Sequence, residues 1–202
     1  MAWVDQQKKI GEVWKISVIY NYFYRMIIAK QKRTENIAEY ILYMWQLEDL
    51  LRAYEFDVKK LVQNFGYPEQ TLSEITQWYS ELALAMKNEG LEKSGHLMQL
   101  KDIVQDLSMF NIKLLQKPDE TEYFEIFTNA LPHITEIVEK SNNVLKNEID
   151  ACFTGMYGIL MLRLQKKQIG PDTEYAIATF SKLLSLLSFK FHQYEKGELE
   201  ID

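Results

Sequence analysis

The chain has 202 residues, 47% of them hydrophobic and 26% charged, with eight glycines, four prolines and one cysteine. That length suits one domain, which removes roughly 70% of its unfolded surface from water, and the lone Cys152 excludes an internal disulfide and a multi-cysteine zinc site. The formal charge of −6 is uneven: residues 1–33 hold seven Lys/Arg against two Asp/Glu and the rest sixteen against 27, an acidic body that argues against a phosphate-binding face.

The first 25 residues form a basic, aromatic arm carrying Trp3, Trp14, Tyr20, Tyr22, Phe23 and Tyr24. Two readings stay open: a segment that touches membrane or RNA, or an extension upstream of a true start at Met26. Lys15, Asn21 and Arg25 interrupt the apolar patch after Lys8 and Lys9, and no small-residue cleavage site follows, so a secretory signal is not expected. The expected location is the cytoplasm.

From Thr34, read as an N-cap, apolar residues recur at steps of three and four through Ile37, Tyr40, Met44, Leu47 and Leu51, which predicts an amphipathic helix. Asp57 caps a short helix that ends near Phe65, before Gly66-Tyr67-Pro68. Thr71 and Glu74 match a capping box, followed by the stripe Leu72, Ile75, Tyr79, Leu82, Met86 and a stop at Gly90. The next helix, near 96–116, carries Leu100, Ile103, Leu107, Phe110 and Leu114 and ends before Pro118. Tyr123, Phe127, Ala130, Ile134, Ile137 and Ser141 keep one phase across Pro132, predicting a kinked helix or two laid end to end, with a break at Asn142-Asn143.

Residues 144–168 are apolar almost all round between Ala151 and Leu164, the pattern of a central helix packed on several sides. That run spans about 14 residues and contains Arg163, whereas a membrane span needs roughly 20. Ala151/Gly155 and Thr154/Gly158 offer small side chains for close approach. Gly170-Pro171-Asp172 stops one helix and starts another, which buries Ile177, Phe180, Leu184, Leu187 and Phe191. The expected fold is all-α: an irregular antiparallel bundle of five to seven helices around the helix near 144–168, with residues 26–202 as a single domain.

Placing residues 100° apart sets Glu48 within the apolar stripe, beside Ile41, Met44, Trp45, Leu51 and Arg52. Arg163 shares a face with Ile149, Cys152, Met156 and Ile159. A buried charge needs a partner, so Glu48 and Arg163 are expected to meet, with Arg52 or Asp49 joining. Such a pair is either a structural lock on helix register or the polar floor of a ligand pocket walled by Trp45 and Tyr157, with His96 as a further member.

Metal and catalytic motifs are missing. No Glu-x-x-His pair or His-Glu-x-x-His run occurs, and Glu92 and His96 are separated by Gly95, so neither a metal nor any other cofactor is expected. Ser188 and His192 are four apart on the last helix, but no nucleophile elbow or orienting acid accompanies them. Ser181, Ser185 and Ser188 are read as residues that permit close packing. Leu50, Leu84 and Leu186 fall off their stripes and suggest an exposed apolar patch.

Asn36-Ile37-Ala38-Glu39-Tyr40, Tyr43 through Leu50, Gly95-His96-Leu97, Ala130-Leu131-Pro132 and the run from Cys152 to Lys167 together resemble a family of small helical proteins from Bacteroidetes classed as a domain of unknown function. The resemblance covers residues 26–202. Members begin near Met26, which agrees with reading 1–25 as an extension, and the resemblance implies no activity, cofactor or partner. The expectation for function is therefore a non-catalytic helical protein that binds a protein partner or itself and binds no nucleic acid. The alternative is a small-ligand binder or enzyme around Glu48 and Arg163.

Overall fold

A computed structural model describes residues 29, 32–67, 69–141, 144, 145 and 147–201; the arm at 1–25 and the break at Asn142-Asn143 lie outside the described residues. Among the described residues every regular element is a helix: α1 (Ile37–Ala53), α2 (Val58–Phe65), α3 (Glu69–Asn88), α4 (Met98–Gln116), α5 (Thr121–Lys140), α6 (Glu148–Leu164) and α7 (Pro171–Glu195). Residues 32–35 are the helical end of one more, so the count is eight and not five to seven.

That extra helix corrects the first cap. Thr34 is helical, and Asn36 breaks the chain and accepts hydrogen bonds from the amides of Ala38 and Glu39 at 3.1 Å each, the geometry of an N-cap. Asp57 caps α2 as expected, accepting from the Lys60 amide at 3.0 Å. The Thr71–Glu74 box does not operate, because α3 already starts at Glu69. Its far end closes as a Schellman motif: Leu91 N–H reaches Met86 O, Gly90 N–H reaches Lys87 O, and Gly90 sits at φ 69°, where glycine is unstrained. The ends of α1 and α6 use the same pattern without glycine, placing Glu55, Phe56 and Lys166 at positive φ.

By its contacts the chain falls into two compact units. Of the described residues, the first takes in those from Met44 to Leu97; the second takes in those from Arg33 to Tyr43 and from Met98 onward, so α1 contributes to both. In the first unit α2 packs on α3, and Leu51, Leu61 and Met86 are fully buried. In the second, each of α4, α5, α6 and α7 packs against the other three. Leu100, Leu107, Leu114, Ala130, Phe153, Phe180 and Leu187 are completely withdrawn from water there, the stripes expected from periodicity.

α5 runs through Pro132 as one helix. α6 is shorter than expected, 148–164 rather than 144–168, and its burial is one-sided along its length: Ile149, Ala151, Cys152 and Phe153 are buried, whereas Leu164 is 66% exposed. Asn147 caps α6 by accepting from the Asp150 amide, and the Ser108 hydroxyl of α4 donates to the same oxygen. Of the four small residues, Gly155 matters most: a Cβ there would lie 2.7 Å from Ile137 Cδ1 and 2.9 Å from Phe180 Cε2, so both α5 and α7 approach α6 at this point. Gly158 has nothing within 4 Å and Thr154 is exposed.

Candidate functional site

The costly residue singled out by periodicity is buried, and its partner lies in the loop after α3. Glu48 is 0% exposed, the most deeply placed acid among the described residues. Its Oε1 accepts from the buried Leu97 amide at 3.0 Å, and its Oε2 lies 2.5 Å from His96 Nδ1, with a proton held between the two atoms. The His96 ring stacks on Trp45 at a centroid distance of 4.1 Å and an interplanar angle of 12°. Trp45 and Glu48 are three apart on α1, so one face of the helix supplies both the acid and the platform.

Arg52 extends the same face by another turn. Its Nε donates to Leu91 O at 3.0 Å, one terminal nitrogen donates to Gly95 O, and the other pairs with Asp49 at 2.6 Å. Thus α1 grips the irregular segment 91–97 at Leu91, Gly95, His96 and Leu97. Gly95, at φ 93°, turns the chain just before the imidazole. The geometry orients the imidazole and leaves its side chain a quarter exposed; a carboxylate-oriented imidazole of this kind holds or accepts a proton.

Of the six residues singled out, the structure brings Trp45, Glu48 and His96 into direct contact and attaches Asp49 through Arg52. Tyr157 and Arg163 belong to α6 in the second unit. The expected partner of Glu48 is corrected from Arg163 to His96 and the Leu97 amide. Arg163 is exposed, because the buried stripe Ile149–Cys152–Ile159 gives out in the last turn of α6, where a cation also suits the C-terminal end of the helix dipole. Sequence reasoning missed Leu91 and Leu97 as partners because their backbone groups, not their side chains, make the bonds.

Other polar groups have local roles. The Ser188 hydroxyl, 2% exposed, accepts from the Ala38 amide at 3.2 Å, adding a second acceptor to the start of α1. His133 meets Tyr175 edge-on at 5.5 Å. Tyr123, fully buried, donates to Asn111 at 2.6 Å; burial above all, reinforced by unfavourable electrostatics with Cys152 and Glu120, pushes its hydroxyl pKa well up. Cys152 is likewise pushed up, by burial first and then by Glu148. No cluster of three or more metal-ligating side chains occurs among the described residues.

A second feature lies on the outside of α7. Tyr175, Ala178, Lys182, Ser185 and Phe189, spaced three and four apart, are all exposed, and they form a stripe opposite the buried one. With Glu122 and Ile126 of α5, and with Ser181 and Leu186, the part of this stripe from Ala178 to Phe189 borders an open groove of about 660 Å³. Of the three leucines expected off-stripe, Leu84 is 59% exposed, while Leu50 and Leu186 are half-buried.

No helix among the described residues is long and apolar enough to cross a membrane. No curated protein and no solved structure matches the chain. Residues 26–198 match the family described as Domain of unknown function (DUF4924), and the chain belongs to that family.

Proposed function

We propose that this protein is a non-catalytic helical interaction protein whose binding surface is the outer face of α7. The observation that carries this reading is the composition of that face. Lys182 is the only charged residue between Tyr175 and Phe189, in a chain that is 26% charged. Tyr175 and Phe189 are 64% and 58% exposed at its two ends. The solvent side of α5, by contrast, carries Glu122, Glu125, Glu136, Glu139 and Lys140. Exposed aromatics on a charge-poor face are the composition of an interface core.

In this reading α4–α7 form an irregular antiparallel bundle that serves as a rigid frame, supported by the mutual packing of all four. Residues 26–202 act as one domain of a bacterial cytoplasmic protein, and the acidic body disfavours nucleic acid as the partner. The test is chemical cross-linking of the full chain, purified and in cell extract, comparing wild type with Tyr175→Ser/Phe189→Ser. The reading expects a cross-linked species that the double variant loses. A chain that yields none in either setting, or one indifferent to both substitutions, overturns it.

A second reading rests on His96, a quarter exposed, stacked on Trp45 and oriented by Glu48. Here the first unit binds a small ligand at that imidazole. A thermal-shift screen against nucleotides, amino acids, sugars and lipids tests it. A ligand at a hundred times its dissociation constant stabilises by about 2.7 kcal/mol, and the shift must vanish in His96→Gln.

A further inference from the structure

We infer that the occupant of the α7 face is a second copy of this chain, packed antiparallel about a two-fold axis that passes between Lys182 and Ser185. The inference rests on the interaction reading and narrows it to one partner.

Three features of the face point to self-association. The first is spacing: Tyr175, Ala178, Lys182, Ser185 and Phe189 follow the alternating steps of three and four that keep one seam facing a partner helix. Over this stretch, about 21 Å of helix, the seam stays exposed.

The second is shape. Along the seam, large and small side chains alternate: Tyr175, Ala178, Lys182, Ser185, Phe189. An antiparallel copy related by a two-fold between Lys182 and Ser185 sets Phe189 over Ala178 of the second copy and Lys182 beside its Ser185. By symmetry each of these contacts occurs twice, so the stretch from Ala178 to Phe189 is its own complement, the requirement for a closed two-fold dimer. The trough left by Ala178, Ser181 and Ser185 gives the opposing large residues room, and it is the same groove of about 660 Å³ described above.

The third is charge. The groove holds one acid, Glu122, and one base, Lys182, and neither has an ion-pair partner among the described residues. In the antiparallel arrangement Lys182 of one copy approaches the groove of the other, whose lining includes Glu122 of α5. Two equivalent Lys182–Glu122 pairs then flank the axis. A partner bearing a single sign of charge would satisfy one of these groups and repel the other, whereas a second copy satisfies both.

The experiment is sedimentation equilibrium of the full chain over a wide concentration range, with variants that are surface changes and leave the helical circular dichroism unaltered. The wild type self-associates to a dimer, and Ser185→Arg, which fills the trough with a cation, abolishes that association. Lys182→Glu and Glu122→Lys, each alone, weaken it about tenfold, because two pairs per dimer turn repulsive. Mixing those two variants restores dimerisation, since each then supplies the sign the other lacks. A wild type that stays monomeric at every concentration overturns the inference, as does a dimer indifferent to Ser185→Arg. If the monomer instead captures a different protein through a contact that Ser185→Arg removes, the second-copy inference falls while the interaction reading survives. If the monomer captures nothing, both fall.

Discussion

Replacing Glu48 by glutamine keeps the shape of the side chain and removes its charge, which separates the worth of the charge from that of the packing. The carboxylate, itself fully withdrawn from water, makes two bonds, one to His96 Nδ1 at 2.5 Å and one to the Leu97 amide at 3.0 Å. Hydrogen bonds to a charged acceptor contribute about 1.5–3 kcal/mol each, and neutral ones about 0.5–1.5. Glu48→Gln therefore costs about 2 kcal/mol, roughly one per bond, and lowers Tm by about 4–8 °C in a chain of this size. Glu48→Ala costs about 4 kcal/mol, because the Leu97 amide is then buried without an acceptor and a cavity is left. Arg163→Met, on an exposed side chain, changes stability by less than about 0.5 kcal/mol. The assay is urea unfolding followed by circular dichroism for all three variants, with His96→Gln added to close a double-mutant cycle. The cycle should return a Glu48–His96 coupling of at least about 1 kcal/mol. If Glu48→Gln is silent while Arg163→Met costs several kcal/mol, the assignment of partners is wrong.

Two glycines on α6 respond to the same substitution with opposite signs. Gly155→Ala forces Ile137 and Phe180 to move and destabilises by about 1 kcal/mol, the overpacking cost exceeding the gain in helix propensity. Gly158→Ala meets nothing and stabilises by about 0.5–1 kcal/mol; thermal melts of the pair check both, and equal shifts would refute the close approach at Gly155. At alkaline pH the two raised groups work against the fold. Below the unfolded pKa values, about 8.5 for Cys and 10 for Tyr, both states hold the protons and stability is level. Above them the unfolded chain ionises while Cys152 and Tyr123 stay protonated in the fold, so stability falls by about 1.4 kcal/mol per pH unit for each group. Denaturant melts between about pH 8.5 and 10 should show the Cys152 slope in the wild type and lose it in Cys152→Ala, while the Tyr123 slope above about pH 10 remains.

The burial of Glu48 was legible because α1 is amphipathic: a carboxylate in phase with Ile41, Met44 and Leu51 has to point inward. Its partner was not legible, since His96 lies 48 positions away in a segment without periodicity, and half of the bonding is to a backbone amide that no side-chain pattern reveals. Thr34 and Asn36 are both good caps, so the sequence alone does not choose between them; the preceding helix end settles it by occupying Thr34.

Arg163 failed for a different reason. α6 is apolar almost all round, and a helix without a polar face carries no phase, so any residue on it can be assigned to a buried stripe. The same loss of information concealed how much Gly155 and Gly158 differ, because only the positions of Ile137 and Phe180 distinguish them. On α7 the ambiguity took another form. The buried stripe through Ile177, Phe180, Leu184 and Leu187 absorbed the helical signal, and of the outer residues only Ser185 was singled out, as one that permits close packing. Exposure reveals a second three-four rhythm on the opposite side, from Tyr175 to Phe189. The exposed seam of α7, together with Glu122 of α5, carries both the shape and the charge to accept its own copy.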